Sequence, residues 1–229
     1  LVTWAAYLAT SPGPGGACRT TLPGMDHHPE PPLSPRMNKQ QTILLASASP
    51  RRRELLKQLE VTFKVKPADI DESIIGDETP REHVLRLSRE KALAGYSLCA
   101  GRMPVLGSDT IVLLEDKILG KPGSRAEAEN MLKRLSGSTH HVYSAVALVL
   151  GTQEVTETLN ITAVTFGEMP DAWIRRYCQT DEPMDKAGAY AVQGGTGQYI
   201  RRIEGSYSGV MGLPLFETAE LLRRAGLLL

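Results

Sequence analysis

Along residues 40–229, short apolar runs with strand spacing alternate with longer stretches of helical spacing, and that alternation restricts the chain to α/β organisation. A buried strand is expected at Thr42–Ala46, a helix from Pro50, a strand near Val61–Lys66 and a helix over Arg81–Cys99. A strand through Val105–Leu114 and a short one at Lys117–Leu119 follow. Ser124 and Glu127 form a capping box that opens a helix to Leu135. The β-branched runs His141–Leu150 and Val155–Phe166 predict a hairpin turned at Gly151. Helices near Pro170–Gln179 and Pro214–Ala225 flank a Gly-rich loop and a short strand at Gln198–Ile203, so the expected architecture is a mixed β-sheet covered by helices.

The remainder of the chain does not extend this pattern. Residues 1–36 hold seven of the fifteen prolines and show neither periodicity, which predicts a disordered leader over 1–36 and a folded domain over 37–229. Met37 opens MNKQQTILLAS, which reads like a natural start. Lys plus Arg and Asp plus Glu both number 26, so no global field recruits nucleic acid or an anionic membrane, and any anion must be held by a local cluster. Three scattered cysteines give neither a disulfide framework nor a zinc pair, and no apolar run reaches the roughly 18 residues of a membrane helix. A cytoplasmic protein is expected.

The first candidate site lies where the first strand meets the first helix. In Leu44–Leu56, Ser49 takes the N-cap and Pro50 the first helical position, with Ser47 just before them. A helix start offers free N–H donors and the positive end of the dipole, and Arg51 and Arg52 add guanidiniums suited to phosphate oxygens. The plain alternative is a well-capped surface helix with solvated arginines. Arg52 is expected to have little structural duty, so that its loss weakens substrate binding and leaves the fold nearly intact. No Walker-type loop is present, because Gly194-Gly-Thr-Gly197 lacks the following lysine and helix.

The second lies inside a strand. Alternation puts Asp109 on one face with Val105, Ile111 and Leu113, where a lone carboxylate is costly unless a cation meets it. Asp109 is therefore the candidate for catalysis, against the alternative of a salt-bridged strand-end residue. Glu72, in Ala68–Ser73, supplies a second carboxylate of metal-ligand type, and oxygen ligands beside phosphates suggest Mg2+ or Mn2+. His140 and His141 make a poor rival metal site, since neighbours in a strand point to opposite faces. On the second helix the stripe Val84, Leu87, Lys91, Ala94, Leu98 is apolar except at Lys91, whose ammonium either snorkels or aims into a phosphate cleft. Lys121, held extended before Pro122, and Lys186, leading into small residues, are further cations able to reach a ligand.

Taken in order, Ala46–Arg52, Gly107–Thr110, Gly120–Pro122, Leu135–Gly137 with Thr139-His140, Asp185–Tyr190, and Ser206-Tyr207 with Gly212–Pro214 make a series that resembles the Maf family of nucleotide pyrophosphatases. The resemblance implies a curved mixed sheet flanked by helices in a Maf/ITPase-like fold, two lobes around a central nucleotide cleft, and a homodimer. It implies hydrolysis between the α and β phosphates with Asp109 as general base. It places Arg51, Arg52, Glu72, Lys91 and Lys121 on phosphate- or metal-contacting positions, with Glu72 and Asp109 as metal ligands. It also implies that Arg52, Thr110 and Gln193 bear on base preference, and that Asp109-Thr110 matches the branch acting on dTTP and UTP. Ser47 and Lys186 complete the expected substrate contacts. Ala191-Val192 departs from the Gly-Ile frequent in the family, which should alter packing under Gln193. The alternatives are a preference for 7-methyl-GTP, or a non-enzymatic regulator of septum formation that uses the cleft to sense nucleotides.

Overall fold

The computed structural model describes residues 41–151 and 154–229. The leader expected over 1–36 lies outside them. Strand β1 (Ile43–Leu45) leads into α1 (Pro50–Lys57), followed by β2 (Phe63–Val65), the long helix α2 (Pro80–Leu98), β3 (Val105–Leu114), β4 (Lys117–Leu119) and α3 (Arg125–Leu135). The hairpin of β5 (Thr139–Leu150) and β6 (Glu154–Phe166) comes next, then α4 (Asp171–Tyr177), β7 (Ile200–Glu204), α5 (Tyr207–Met211) and α6 (Leu215–Arg224). The sheet runs in the order β2-β1-β3-β5-β6-β7, with β4 also on β3. β1 pairs in parallel with β2 and β3, and the other pairs are antiparallel, so the sheet is mixed as expected.

Residues of β3 pair with β5 from Val105↔Val149 to Leu113↔His141, so one side of the strand is fully bonded. On its other side β1 reaches only Val105 and Leu106, and β4 begins at Val112. The edge from Gly107 to Ile111 is thereby left without a neighbouring strand, and the cleft opens there.

Side-chain alternation along β3 builds the walls. On one face Leu106 joins Ile43, Leu45, Leu55, Leu56, Leu222 and β5 residues Val146 and Leu148 in one core. Val112 and Leu114 of the same face join Leu132, Leu135, Phe166, Ile174 and Val142 in another. Between the two cores this face is polar: Ser108 and Thr110 of β3 sit beside Ser144 of β5. Two apolar lobes thus share one sheet face, divided by a seam of hydroxyls.

Helix α2 covers the opposite face. A Cβ at Gly107 would stand 2.3 Å from the Ser88 carbonyl oxygen and 2.5 Å from the Ala92 nitrogen, so only glycine lets α2 approach this closely. Thr79 and Glu82 cap the helix reciprocally, and the close approach brings Lys91 down beside Asp109.

Three sequence expectations change. The last strand begins at Ile200, two residues later than the Gln198 start expected, because Gly195–Tyr199 coils into a 3-10 turn. The expected Gly-rich loop also contains a 3-10 turn at Ala187–Ala189. α5 was not expected, since five residues with a glycine inside carry no apolar period. It starts because the Ser206 hydroxyl accepts from the Gly209 N–H, and stops at Gly212, whose φ of 115° is open to glycine.

Candidate active site

The β1–α1 junction folds as its residues dictate. The Ser49 side chain accepts from the Arg52 N–H, Pro50 opens the helix, and no acidic residue occupies the first turn. Arg52 then turns across the polar seam. Its Nε donates to the Gly212 carbonyl at 2.8 Å, Nη2 to Thr110 Oγ1 at 3.1 Å and Nη1 to Ser47 Oγ at 3.3 Å. The expectation of a solvated arginine with little structural duty is therefore corrected: Arg52 ties α1, β3 and the end of α5 together. Burial lowers its pKa and the charge of Asp109 opposes that shift, a placement near the acidic group although their bonded neighbours lie on different faces of β3.

Gly212, to which the sequence pattern assigns no role at the site, has one through its carbonyl. Its carbonyl also accepts from Ser108 Oγ at 3.1 Å and from Thr110 Oγ1 at 3.4 Å. Ser144 Oγ, next in the seam, donates to the Gly209 carbonyl at 2.6 Å and lies 3.1 Å from Thr110 Oγ1. The signal is present as hydroxyl residues recurring inside apolar strands, but their common partner is a backbone segment 65 to 104 residues away.

On the α2 side of β3, Asp109 Oδ1 lies 2.6 Å from Lys91 Nζ, and the same ammonium lies 2.6 Å from Glu72 Oε1. Lys91 and Asp109 are buried while the Glu72 side chain is 50% exposed, so this ion pair is not sealed: its outer member reaches solvent. Burial raises the pKa of Glu72, but the hydrogen bond and charge of Lys91, with Lys121 and Arg52 behind it, outweigh that and bring it below the usual carboxylate value.

These groups line one cleft of about 840 Å³, together with Ser47, Arg51, Thr110, Lys121, Lys186 and Gln193. All ten sequence candidates are therefore brought together, but they are not equally available. Lys121 and Gln193 are exposed. Ser47 Oγ accepts from Ser49 N–H and from Arg52. Arg51 stands 3.8 Å from Asp185. Lys186 donates to the Glu182 carbonyl at 2.5 Å and pairs with Asp185, so it braces its own loop. Burial raises the Asp185 pKa, but Lys186 and Arg51 bring it below the usual value. Glu182 in turn accepts from the Gly195 N–H at 3.1 Å and the Tyr177 hydroxyl at 2.8 Å, which fixes the backbone after Gln193. Ile74 and His83 also line the cleft and were not singled out in the sequence, although His83 is placed two helical turns before Lys91 on the same face of α2.

Among the described residues no group of three or more His, Cys, Asp or Glu side chains is placed to hold a metal ion. The donor set that does converge is a pair of oxygens, one each from Glu72 and Asp109, already meeting at one cation, the Lys91 ammonium. Two carboxylates with further positions left to water and phosphate oxygens suit a hard divalent ion. His140 and His141 do not compete: His140 is buried, its pKa pushed down to about 4 by that burial, while His141 is exposed on the other face. His140 Nε2 is 2.8 Å from the Tyr190 hydroxyl, a core contact.

Residues 42–225 match a family model described as Maf-like protein. The dTTP/UTP pyrophosphatase of Escherichia coli strain K12 is 49% identical over 181 residues, covering 79% of this chain and 91% of that protein. The dTTP/UTP pyrophosphatase of Shewanella sp. strain MR-7 is 50% identical over 192 residues, 81% of this chain and 98% of that protein. The protein of that name from Methylobacillus flagellatus is 51% identical over 189 residues, 80% and 92% respectively.

Proposed function

The chain belongs to the Maf family, and from that premise we propose that it hydrolyses nucleoside triphosphates, dTTP and UTP foremost, to the monophosphate and pyrophosphate. The observation that carries this reading is the meeting of Asp109 and Glu72 on one buried ammonium at a cleft that also presents Arg51, Arg52 and Lys121. A site that only held a triphosphate would gain from the cations and lose from the two acids.

In this reading Asp109 accepts a proton from a water that adds to the α-phosphorus, the bond from that phosphorus to the bridging oxygen breaks, and pyrophosphate leaves with the electron pair. Lys91 compensates the charge of Asp109 before the substrate arrives and is near enough to follow a phosphate oxygen afterwards. Arg51 and Lys121 line the cleft and offer donors to the departing pyrophosphate, which supplies electrostatic stabilisation. A Mg2+ or Mn2+ ion held by Glu72 and Asp109 would neutralise triphosphate charge and polarise the reacting centre. Thr110 bears on base preference through Arg52, whose guanidinium it holds, and Gln193 directly, with its exposed amide.

The same reading includes a homodimer, a cytoplasmic location and a catalytic domain over residues 37–229. No helix among the described residues is long and apolar enough to cross a membrane. The test is to offer dTTP, UTP and 7-methyl-GTP together to the purified protein with Mn2+ and follow pyrophosphate and each monophosphate. Release dominated by the pyrimidine products is expected. Equal or greater 7-methyl-GTP turnover would overturn the substrate assignment, and no release above an Asp109→Asn control would leave a nucleotide sensor.

A further inference from the structure

The loop between β2 and α2 brings Glu72 to the cleft, yet burial does nothing to hold it there. Every residue from Asp71 to Asp77 is exposed, including Ile74 at 57% and Ile75 at 59%. A segment with no apolar anchor is free to move unless polar ties fix it. Glu72 itself is tied to Lys91, but a triphosphate that draws the ammonium toward its oxygens removes that tie just when the carboxylate is needed.

A second tie lies outside the cleft residues already assigned. Arg86, on α2, grips Glu78 with two of its three guanidinium nitrogens, Nε to Oε2 at 2.9 Å and Nη2 to Oε1 at 2.6 Å, and the same Nη2 donates to the Ser73 carbonyl at 2.9 Å. Glu78 Oε1 also accepts from the Ile75 N–H at 3.0 Å and lies 2.7 Å from His83 Nδ1. The remaining arm of Arg86 reaches Glu90 at 3.1 Å. Arg86 and Glu78 are mostly buried, at 17% and 11% side-chain exposure. The Arg86 hydrogen bonds, opposed by burial and reinforced by His83 and the Ile75 N–H, hold the Glu78 carboxyl well below the usual carboxylate range. The backbone on the C-terminal side of Glu72 is thus bonded at Ser73 and Ile75 to one clamp rooted in α2, the helix that also carries Lys91.

We propose that Arg86, locked onto Glu78, is the positioning residue for Glu72: it holds the Ser73 carbonyl so that the neighbouring carboxylate stays aimed at the cation and triphosphate. This rests on the reading of Glu72 as a cation ligand. Arg86 touches neither substrate nor cation, and acts through the backbone one residue from Glu72. A lysine, a point charge without the fork, cannot bond Glu78 and Ser73 together in the same way.

The test is a double-mutant cycle read by calorimetric binding of dTTP carrying a methylene between its α and β phosphorus atoms, with and without Mn2+. Arg86→Met should weaken the Mn2+-dependent binding roughly tenfold, the scale on which groups that orient a metal ligand act, and leave Mn2+-free binding unchanged. In a Glu72→Gln background the same substitution should have no further effect, because its route is already cut. Losses that multiply across the two substitutions would overturn the proposal. If Arg86→Met fails to fold, Glu78→Gln, which loosens the grip on Arg86 and keeps an acceptor, must show the same coupling to Glu72→Gln. A Glu72→Gln protein that keeps full Mn2+-dependent binding would instead defeat the ligand reading of Glu72, an outcome separable from the failure of Arg86 to couple.

Discussion

The two sides of β3 at the cleft make an instructive pair. Toward α2, Asp109 meets Lys91 and, through it, the exposed Glu72: three charges, few bonds and a way out to solvent. Toward α5, Ser108, Thr110, Ser144 and Arg52 converge on the carbonyls of Gly212 and Gly209, a neutral acceptor set with its donors well supplied. The first arrangement is poised to exchange partners, because an ammonium between two acids can be replaced by a better cation or pulled toward an anion. The second gains nothing by exchange and joins the two lobes across the sheet face, where Arg51 and Asp185 also approach each other. Residues on the two sides are adjacent in sequence, and strand alternation alone separates reactive from structural duty.

The largest effect should come from the charged side. Asp109→Asn keeps the shape and an oxygen acceptor for Lys91, so the protein should unfold as one cooperative unit while pyrophosphate release falls by about 10²- to 10⁴-fold, the range of general-base loss. A variant with wild-type turnover would place the base elsewhere.

Next is a pH effect that belongs to neither side. His140 is buried and its folded pKa is pushed down to about 4 from 6.5 by desolvation. A depressed folded value means that the unfolded chain takes the proton first. Stability is whole above pH 6.5 and declines as pH falls toward 4, by a total of about 3 kcal/mol. Urea unfolding at pH 7.5 and pH 4 should show wild type losing that much more than His140→Phe. Parallel losses would mean that the titrating groups near the cleft, not this core histidine, set acid stability.

Arg52→Ala separates the two sides further. Three hydrogen bonds disappear and the Gly212 carbonyl loses its charged donor, which should cost about 2 kcal/mol in urea unfolding as well as weakening nucleotide binding. Unchanged stability with weaker binding would restore the solvated arginine that the sequence suggested.

That expectation went astray for a physical reason that separates what could be read in the sequence from what could not. The capped start of α1, the carboxylate interrupting β3 and the lone lysine on the α2 stripe are local patterns of period two or 3.6, and each folds as its pattern requires. The partner of Arg52 is a backbone carbonyl 160 residues away, exposed to it by a five-residue helix that no periodicity announces. Glu72 was recognisable as an acid of suitable type, but its convergence with Asp109 depends on how closely α2 packs, and hence on Gly107. Arg86 gave no local sign at all, because its work is on the backbone of a loop.

The smallest effect tests whether the seam is structural alone. Ser144 is fully buried, donates to Gly209 and lies against Thr110, yet does not line the cleft residues that face substrate. Ser144→Ala leaves the Gly209 carbonyl without that donor, a loss of about 1 kcal/mol in unfolding. Arg52 retains its bond to Gly212 in that variant, so turnover and the ratio of dTTP to UTP cleavage should hold. A changed ratio at unchanged stability would show that the hydroxyl seam transmits base preference through Thr110, and the division between the two sides of β3 would have to be redrawn at that residue.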